Sequence, residues 1–171
     1  IMRKFDENGN IIWEKLYGNT NWNVSDWFNS IIELSDGSLL ATGVTNSGGD
    51  NNGDVFLVKT DGNGNEITSK SFGSINTITR EYGQGVVQLG NGDFLVASIY
   101  DSAAFEYNRI IKFDEDLNYK SHVDLEDNNG LPRQMHEISG GYLIYGWLGD
   151  NIYFRKIDED ANILWESTYT I

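Results

Sequence analysis

Short apolar runs alternate with polar turns along the whole chain. Runs such as 39–41 and 55–58 lie between clusters of Asp, Asn, Gly and Ser. Runs of this length bounded by turn residues are typical of β-strands, and an uninterrupted apolar run indicates burial on both faces. The pattern predicts an antiparallel all-β protein without an α-helix longer than about two turns.

Two motifs recur along the chain and share one period. Lys-x-Asp, followed by a polar turn with Asn and an apolar run, occurs four times, and its aspartates are Asp6, Asp61, Asp114 and Asp158. A glycine between two apolar runs occurs three times, at 37, 92 and 141. Both motifs are typical of β-hairpins, because Asp, Asn and Gly accept the backbone angles of tight turns. The predicted turns are 6–10, 35–38, 61–65, 90–93, 114–118, 139–141 and 158–162.

Two hairpins in each period make four strands in about 50 residues, a length typical of a β-propeller blade. A blade buries both of its faces against its neighbours, which agrees with the uninterrupted apolar runs. The sequence therefore predicts a single propeller-like repeat domain over 1–171. It divides into a half blade at 1–18 and three blades at 19–73, 74–125 and 126–171.

A longer motif supports this division. Trp-x-Lys-x-Tyr-Gly stands at 13–18, an Asp before a strand at Asp26, Asp-Gly-Ser-Leu at 36–39, and Lys-x-Asp-x-x-Gly-Asn at 59–65. The set resembles the propeller repeats of secreted and cell-surface proteins of Bacteroidota. The resemblance covers nearly the whole chain, is strongest over 1–100 and fades in the third unit. It implies a β-propeller and an extracellular or cell-surface location.

The number of hairpins is too small for a closed propeller. Four hairpins of the Lys-x-Asp type and three of the glycine type make three complete blades and one extra hairpin. Propellers close with about four to eight blades. We therefore expect the chain to need a cover for its end faces, either further blades of the same polypeptide or, as the alternative, a second copy.

Composition and charge exclude several classes of protein. The chain has 19 Gly and 19 Asn but only 5 Ala, and a formal net charge of −14. This charge repels a phosphate backbone, so no nucleic-acid partner is predicted. The chain has no cysteine and thus no disulfide, and no stretch approaches the roughly 18 apolar residues of a membrane span, so no membrane insertion is predicted.

The fourfold repetition of Lys-x-Asp indicates a scaffold and not a catalytic pair, since catalysis needs such a pair once. We expect each aspartate to bind the downstream amides of its own turn and each lysine to lie on an exposed strand edge.

The loop at 50–54 has the oxygen spacing of a calcium site. Asp50, Asn52 and Asp54 stand at positions 1, 3 and 5, and Asp61 stands at position 12. Position 6 is Val55 where a helix-loop-helix site has Gly, and the flanking segments are predicted strands. Calcium at this loop is the single cofactor prediction, and a solvated turn between strands is the alternative.

The sequence gives little support to catalysis. Its two histidines, His122 and His136, are expected to be ordinary surface or partly buried residues. No common nucleophile, zinc or nucleotide motif is present. A glycosidase needs two carboxylates about 5–9.5 Å apart, and the sequence does not single out a pair.

The five tryptophans fall into two groups. Trp13 and Trp165 occupy the same repeat position and are predicted to pack between blades. Trp22, Trp27 and Trp147 lie where the repeats diverge. Together with Asp26, these three are the candidate partner-binding residues, because Trp beside Asp or Asn can stack on a sugar ring or anchor a protein interface. Packing under a loop is the alternative.

These observations favour a non-catalytic extracellular or cell-surface module that presents loops to a protein or glycan partner. One rival is a polysaccharide-active enzyme with carboxylates near the propeller axis. A second rival is a structural repeat of a surface filament, which predicts extensive contacts between chains.

Overall fold

The computed structural model describes residues 1–18, 26–46, 53–73, 79–102, 106–125 and 130–170, and every element in these ranges is a β-strand. None of the described residues forms a helix that could cross a bilayer. In chain order the strands are β1 (Met2–Phe5), β2 (Ile11–Lys15), β3 (Asp26–Glu33), β4 (Leu39–Thr45), β5 (Asp54–Thr60), β6 (Glu66–Phe72), β7 (Arg80–Gln88), β8 (Phe94–Asp101), β9 (Glu106–Phe113), β10 (Tyr119–Leu125), β11 (Gly130–Ile138), β12 (Gly141–Leu148), β13 (Asn151–Ile157) and β14 (Ile163–Thr170).

The strands form four antiparallel sheets in which neighbours in sequence are neighbours in space. Sheet I contains β1 and β2, sheet II β3–β6, sheet III β7–β10 and sheet IV β11–β14. The antiparallel all-β prediction is therefore confirmed. Within the described ranges the sheets form an open series without a closed ring. That each four-stranded sheet is one blade of a propeller stays a prediction.

Sheet I corresponds to the last two strands of the other sheets. In all four sheets the lysine of the Lys-x-Asp motif has one cross-strand partner on the next strand, and these pairs are Lys4 with Trp13, Lys59 with Thr68, Lys112 with Ser121, and Lys156 with Trp165. The shared register makes positions in different sheets directly comparable. Sheet I has no described counterpart of the first two strands.

The predicted hairpin turns are confirmed, and so is the role of their aspartates. The carboxylate of Asp61 accepts hydrogen bonds of 2.8 Å from the backbone amides of Asn63 and Asn65. Asp6, Asp114 and Asp158 bind the amides two and four residues ahead in the same way. The fourth turn residue has a positive φ each time, and these residues are Gly9, Gly64, Leu117 and Ala161.

The prediction of exposed edge positions is wrong for the motif lysines of sheets II, III and IV, whereas Lys4 is exposed on an edge strand of the two-stranded sheet I. In sheets II, III and IV the lysine lies on the third of four strands, so its strand is paired on both sides. In sheets I, II and III its amine reaches the next sheet, whereas Lys156 of sheet IV donates to the Ser139 carbonyl of its own sheet. The face-to-face stacking of the sheets brings these amines to the next turn, and the local sequence carries no sign of this stacking. The Nζ atom donates to the carbonyl after the next turn aspartate, over 3.4 Å from Lys4 to Gly62, 3.4 Å from Lys59 to Glu115 and 3.3 Å from Lys112 to Glu159.

Two apolar cores hold the four-stranded sheets together. One lies between sheets II and III and includes Leu40, Leu57 and Val96, and the other lies between sheets III and IV and includes Leu95 and Ile144. Leu95 and Val96 are consecutive and both fully buried. Sheet III therefore buries both faces, as the uninterrupted apolar runs predict. Complete burial of one such side chain stabilises the fold by about 1.5–3 kcal/mol.

The first strands of sheets II, III and IV meet along one line. Each contains a β-bulge at the same place, between positions 28 and 30, 83 and 85, and 132 and 134. Asn29 Nδ2 donates to the Gly83 carbonyl over 2.8 Å, and Gln134 Nε2 donates to the Asn29 carbonyl over 3.1 Å. Side-chain amides thus link the bulged strands of all three sheets.

Candidate functional site

The strands run between two ends of the molecule. The hairpin end carries the seven tight turns predicted from the sequence. The loop end carries the first residues of β3, β5, β7, β9, β11 and β13. Four predicted site residues lie at the loop end, namely Asp26, Trp27, Asp54 and Trp147. The other three, Trp22, Asp50 and Asn52, lie outside the described residues.

Trp27 forms an aromatic contact between two sheets at the loop end. Its ring centroid lies 6.3 Å from that of Tyr82 with an interplanar angle of 31°. Trp27 is 43% exposed, whereas Tyr82 is half-buried. Tyr82 is in turn supported by the backbone of Gly53, where a Cβ atom would lie 3.2 Å from the ring. The indole is therefore accessible but held in place from one side.

Trp147 lies on sheet IV and not beside Trp27. By register it occupies the place of Val44 in sheet II and Ile99 in sheet III. Val44 and Ile99 are buried, whereas Trp147 is 44% exposed. The described chain has no sheet beyond sheet IV, so this tryptophan stays accessible.

Asp26 on β3 and Asp54 on β5 flank Thr45 of the intervening strand β4. Each carboxylate packs against a glycine that follows an aromatic residue. A Cβ atom on Gly18 would lie 2.2 Å from Asp26 Oδ2, and one on Gly73 would lie 1.8 Å from Asp54 Oδ1. The two aspartates therefore fill space that the glycines leave open.

Most of the loop of the predicted calcium site lies outside the described residues. Of its three loop oxygen ligands, the structure describes Asp54 alone. In the part of the chain that the structure covers, no three His, Asp or Glu side chains come together as a metal site requires. Calcium at 50–54 stays a prediction.

A buried charged cluster lies at the loop end between sheets II and III. Arg109 donates from Nε to Asp124 Oδ1 over 2.6 Å and from Nη2 to Asp124 Oδ2 over 3.0 Å. Its Nη1 pairs with Glu81, whose side chain is almost completely buried. The guanidinium carbon lies 4.2 Å from the centroid of the Tyr100 ring. It also lies 5.8 Å from the centroid of the Tyr107 ring, so the cation is held by two carboxylates and two aromatic rings.

The cluster shifts the pKa values of its members in opposite directions. Burial raises the pKa of Glu81 to about 7, although the charge and hydrogen bond of Arg109 oppose the shift. Burial also acts to raise the pKa of Asp124, but two hydrogen bonds and the charge of Arg109 outweigh it and hold that pKa below its usual value. Asp124 is therefore the ionised partner, and Glu81 is the titrating one.

Sequence reasoning missed this cluster, although one signal was present. By register from the motif lysine, Arg109 stands where sheet II has Phe56 and sheet IV has Tyr153. A cation at a position that is aromatic in two other repeats indicates that acidic partners lie nearby. Alignment of the third strands would have identified Arg109.

The hairpin end contains a central cleft of about 500 Å³. The ends of β3, β7 and β11 line it with Glu33, Gln88, His136 and Glu137. The ring of His136 stacks on Tyr145, with 5.9 Å between centroids and an interplanar angle of 16°. The two glutamates occupy equivalent positions of sheets II and IV. Such a cleft can donate and accept hydrogen bonds at several points of one ligand.

The second histidine lies on the outer strand of sheet III. His122 Nδ1 lies 2.9 Å from the hydroxyl of Tyr119, and its Nε2 lies 4.0 Å from Asp124 Oδ2. His122 is exposed, so of the two expectations, an ordinary surface residue or a partly buried one, the surface residue is the one observed.

No family model matches the chain, and no curated protein matches it. The structure establishes an all-β protein with a two-stranded sheet and three four-stranded antiparallel sheets.

Proposed function

We infer that the chain is a non-catalytic, extracellular or cell-surface module of propeller type whose loop end binds a protein or glycan partner. The observation that supports this most is the indole of Trp27, 43% exposed and in tilted aromatic contact with Tyr82 of the next sheet. The extracellular location and the propeller type rest on the resemblance of the repeats to those of exported Bacteroidota proteins.

The Trp27–Tyr82 pair has the properties of a binding anchor. Both residues lie on strands paired within four-stranded sheets, so ligand binding does not have to order them. A large, rigid aromatic surface contributes much contact area at small entropic cost, and Trp and Tyr are enriched among the residues that dominate binding energy. An exposed indole also offers a flat apolar face to a sugar ring.

The charged groups beside this pair serve the fold. Glu81 and Asp124 share Arg109, and Asp26 and Asp54 pack on the backbone of two glycines. Carboxylates used in this way keep the strand starts in place. This arrangement favours binding over acid–base chemistry at the loop end.

The central cleft favours a second candidate, a polysaccharide-active enzyme. Glu33 and Glu137 both line it, and His136 lies beside them. Glycoside hydrolysis needs two carboxyl groups about 5–9.5 Å apart on either side of the scissile bond. The two candidates use opposite ends of the molecule and are therefore separable.

The test is isothermal titration calorimetry with a panel of soluble plant, algal and bacterial polysaccharides, a readout that does not depend on the tryptophan that the variant removes. We expect saturable binding that Trp27→Ala abolishes and that Trp165→Ala, a similarly exposed tryptophan at another site, leaves unchanged. For a protein partner, the same two variants are compared in affinity purification from cell-envelope extracts. Binding that survives Trp27→Ala contradicts the loop-end proposal.

Release of reducing ends from the same panel tests the enzyme. Turnover that Glu33→Gln and Glu137→Gln both remove, while Trp27→Ala leaves it intact, establishes the second candidate and overturns the first. The absence of turnover together with Trp27-dependent binding supports the module.

A further inference from the structure

Sheets I and IV each expose a face that the other sheets bury. The residue after the motif lysine shows this for sheet I, because Phe5 is 52% exposed whereas Thr60, Phe113 and Ile157 are at most 1% exposed. At the other end of the series, sheet IV exposes Trp147 on its outer face, whereas the equivalent residues of sheets II and III are buried. The series of sheets thus has one open face at each end.

The junction between sheets I and II shows how one face fits the next. Lys4 Nζ and Trp13 Nε1 both donate to the Gly62 carbonyl, over 3.4 and 3.3 Å, and the Tyr17 hydroxyl donates to the Gly64 carbonyl over 2.7 Å. A Cβ atom on Gly64 would lie 3.0 Å from the ring of Trp13. The indole therefore needs a glycine at the fourth position of the facing turn.

The other two junctions reverse this relation of sizes. At the place of Trp13, sheet II has Thr68 and sheet III has Ser121. At the place of Gly64, sheet III has Leu117 and sheet IV has Ala161, both buried. Ser121 and Ala161 line the same small cavity between sheets III and IV. A large residue on the strand thus faces a glycine at the fourth position of the next turn. A small residue on the strand faces a turn residue that has a side chain.

The two open faces carry the two complementary halves of a junction like that between sheets I and II, in which a tryptophan faces a glycine. Sheet IV has Lys156, Trp165 and Tyr169 at the places of Lys4, Trp13 and Tyr17, and Trp165 is 45% exposed. The turn of sheet I has Gly9 at the fourth position, and no other atom lies within 4 Å of the place of its Cβ. Trp165 and Gly9 are the matching pair.

We propose that sheet IV of one copy of this chain docks on sheet I of a second copy, head to tail, as sheet I docks on sheet II. Trp165 covers Gly9, and the amine of Lys156 moves from the Ser139 carbonyl, 2.8 Å away, to the carbonyl of Glu7 in the second copy. Phe5 of the second copy becomes buried, as its three counterparts are. The turn contributes the charges of Asp6 and Glu7 opposite a lysine. The inference does not depend on the proposed function of the loop end.

Such a junction joins unlike surfaces, so the assembly either closes into a ring or grows as a chain. A head-to-tail junction therefore predicts that two different defective variants complement each other, which a symmetric dimer does not predict. A copy with a damaged sheet IV still offers an intact sheet I, and a copy with a damaged turn still offers an intact sheet IV. Two variants that fail alone associate when mixed.

The experiment is sedimentation velocity over a concentration series that extends into the millimolar range. We expect the parent to associate and Trp165→Ser to weaken association about tenfold or more, as loss of a central aromatic anchor does. We expect Gly9→Leu, which copies the residue at position 117, to have the same effect. An equimolar mixture of the two variants should form a heterodimer. Trp27→Ala, at the loop end, serves as the control and leaves association unchanged.

A parent chain that stays monomeric over the whole series overturns the proposal. So does association that Trp165→Ser leaves intact, or a mixture of the two variants that stays monomeric. Circular dichroism of each variant checks its fold. Should Gly9→Leu fail to fold, Gly9→Ala takes its place, because Ala161 adopts the same turn conformation with a φ of 65°.

Discussion

The carboxylate of Glu81 pairs with the guanidinium of Arg109 across the intervening strand of sheet III, and both side chains are buried. Removal of one partner from such a pair costs about 3–5 kcal/mol, because the other charge is left without compensation in a poor solvent. Here Asp124 also binds the cation through two hydrogen bonds. The guanidinium therefore keeps a counter-charge when Glu81 takes up a proton.

The raised pKa of Glu81 predicts that the chain loses stability as pH rises. In the unfolded chain this carboxyl ionises near 4.5, and in the folded chain near 7. Between these values the folded state binds more protons, so the free energy of unfolding falls with pH over this window. We expect a loss on the order of 1–3 kcal/mol between pH 5 and pH 8. Urea unfolding at a series of pH values measures it.

Glu81→Gln is the matched variant, because it keeps the shape of the side chain and removes its titration. We expect the slope of stability against pH between 5 and 8 to flatten. An unchanged slope in the variant would assign the pH dependence to other groups.

A second prediction compares two tryptophans at one repeat position. Trp13→Ala should destabilise the chain by about 2–3 kcal/mol, because its half-buried ring packs on Gly64 and binds the Gly62 carbonyl. Trp165→Ala should change stability by less at concentrations too low for association, since no described sheet packs on this side chain and it is 45% exposed. Denaturant unfolding gives the free energy of unfolding of both variants. Equal losses of free energy would contradict the prediction that the next sheet covers Trp13 and not Trp165.

A third prediction concerns the strand opposite the bulge of sheet II. A Cβ atom on Gly43 would lie 1.9 Å from the backbone carbonyl oxygen of Trp27, which cannot move without breaking the sheet. Gly43→Ala should therefore cost about 3 kcal/mol or more. Gly90→Ala is the control, because no atom lies within 4 Å of its Cβ position. Thermal unfolding of the two variants should separate them clearly, and similar melting temperatures would show that the strand can shift.

A fourth prediction concerns the acid side of the stability curve. The side-chain and backbone amides of Asn118 hold the pKa of Asp114 below its ordinary value of 3.8. The folded state therefore gains stability above pH 3.8 and loses it as pH falls through the folded pKa. NMR titration of the Asp114 carboxyl carbon should show the low pKa, and Asn118→Ala should move it back towards 3.8. Asp6, whose pKa Asn10 lowers in the same way, serves as the internal reference and should not move.

The sequence was sufficient to predict the strands and turns because their signals are local. Asp61 binds amides two and four residues ahead, so the residues that form the turn also identify it. The turn at 114–118 was predicted although Leu117 replaces the expected glycine, because the repeat supplies the position. Leu117 tolerates a φ of 63° because it is buried in the core between sheets II and III.

The contacts between sheets could not be predicted from the sequence, because they join residues that are far apart along the chain. The motif lysines were expected to lie on exposed edges, whereas Lys59 binds a carbonyl of sheet III. Trp13 packs on the following sheet as predicted, but Trp165 meets no following sheet in the described chain, so within one copy the same expectation is not met for it. Glu81 and Arg109 are 28 residues apart, and nothing in their local sequence pairs them.

The pairs of residues at the sheet junctions also bear on how the chain reaches its fold. Hairpins of nearly the same sequence risk docking in the wrong order, a characteristic failure of repeat proteins. Trp13 against Leu117 would overlap, and Ser121 against Gly64 would leave a void. The sizes therefore distinguish the junction of sheets I and II from the other two, in the manner of partners selected by steric mismatch. We expect these contacts also to select against the wrong order of the first hairpin during folding.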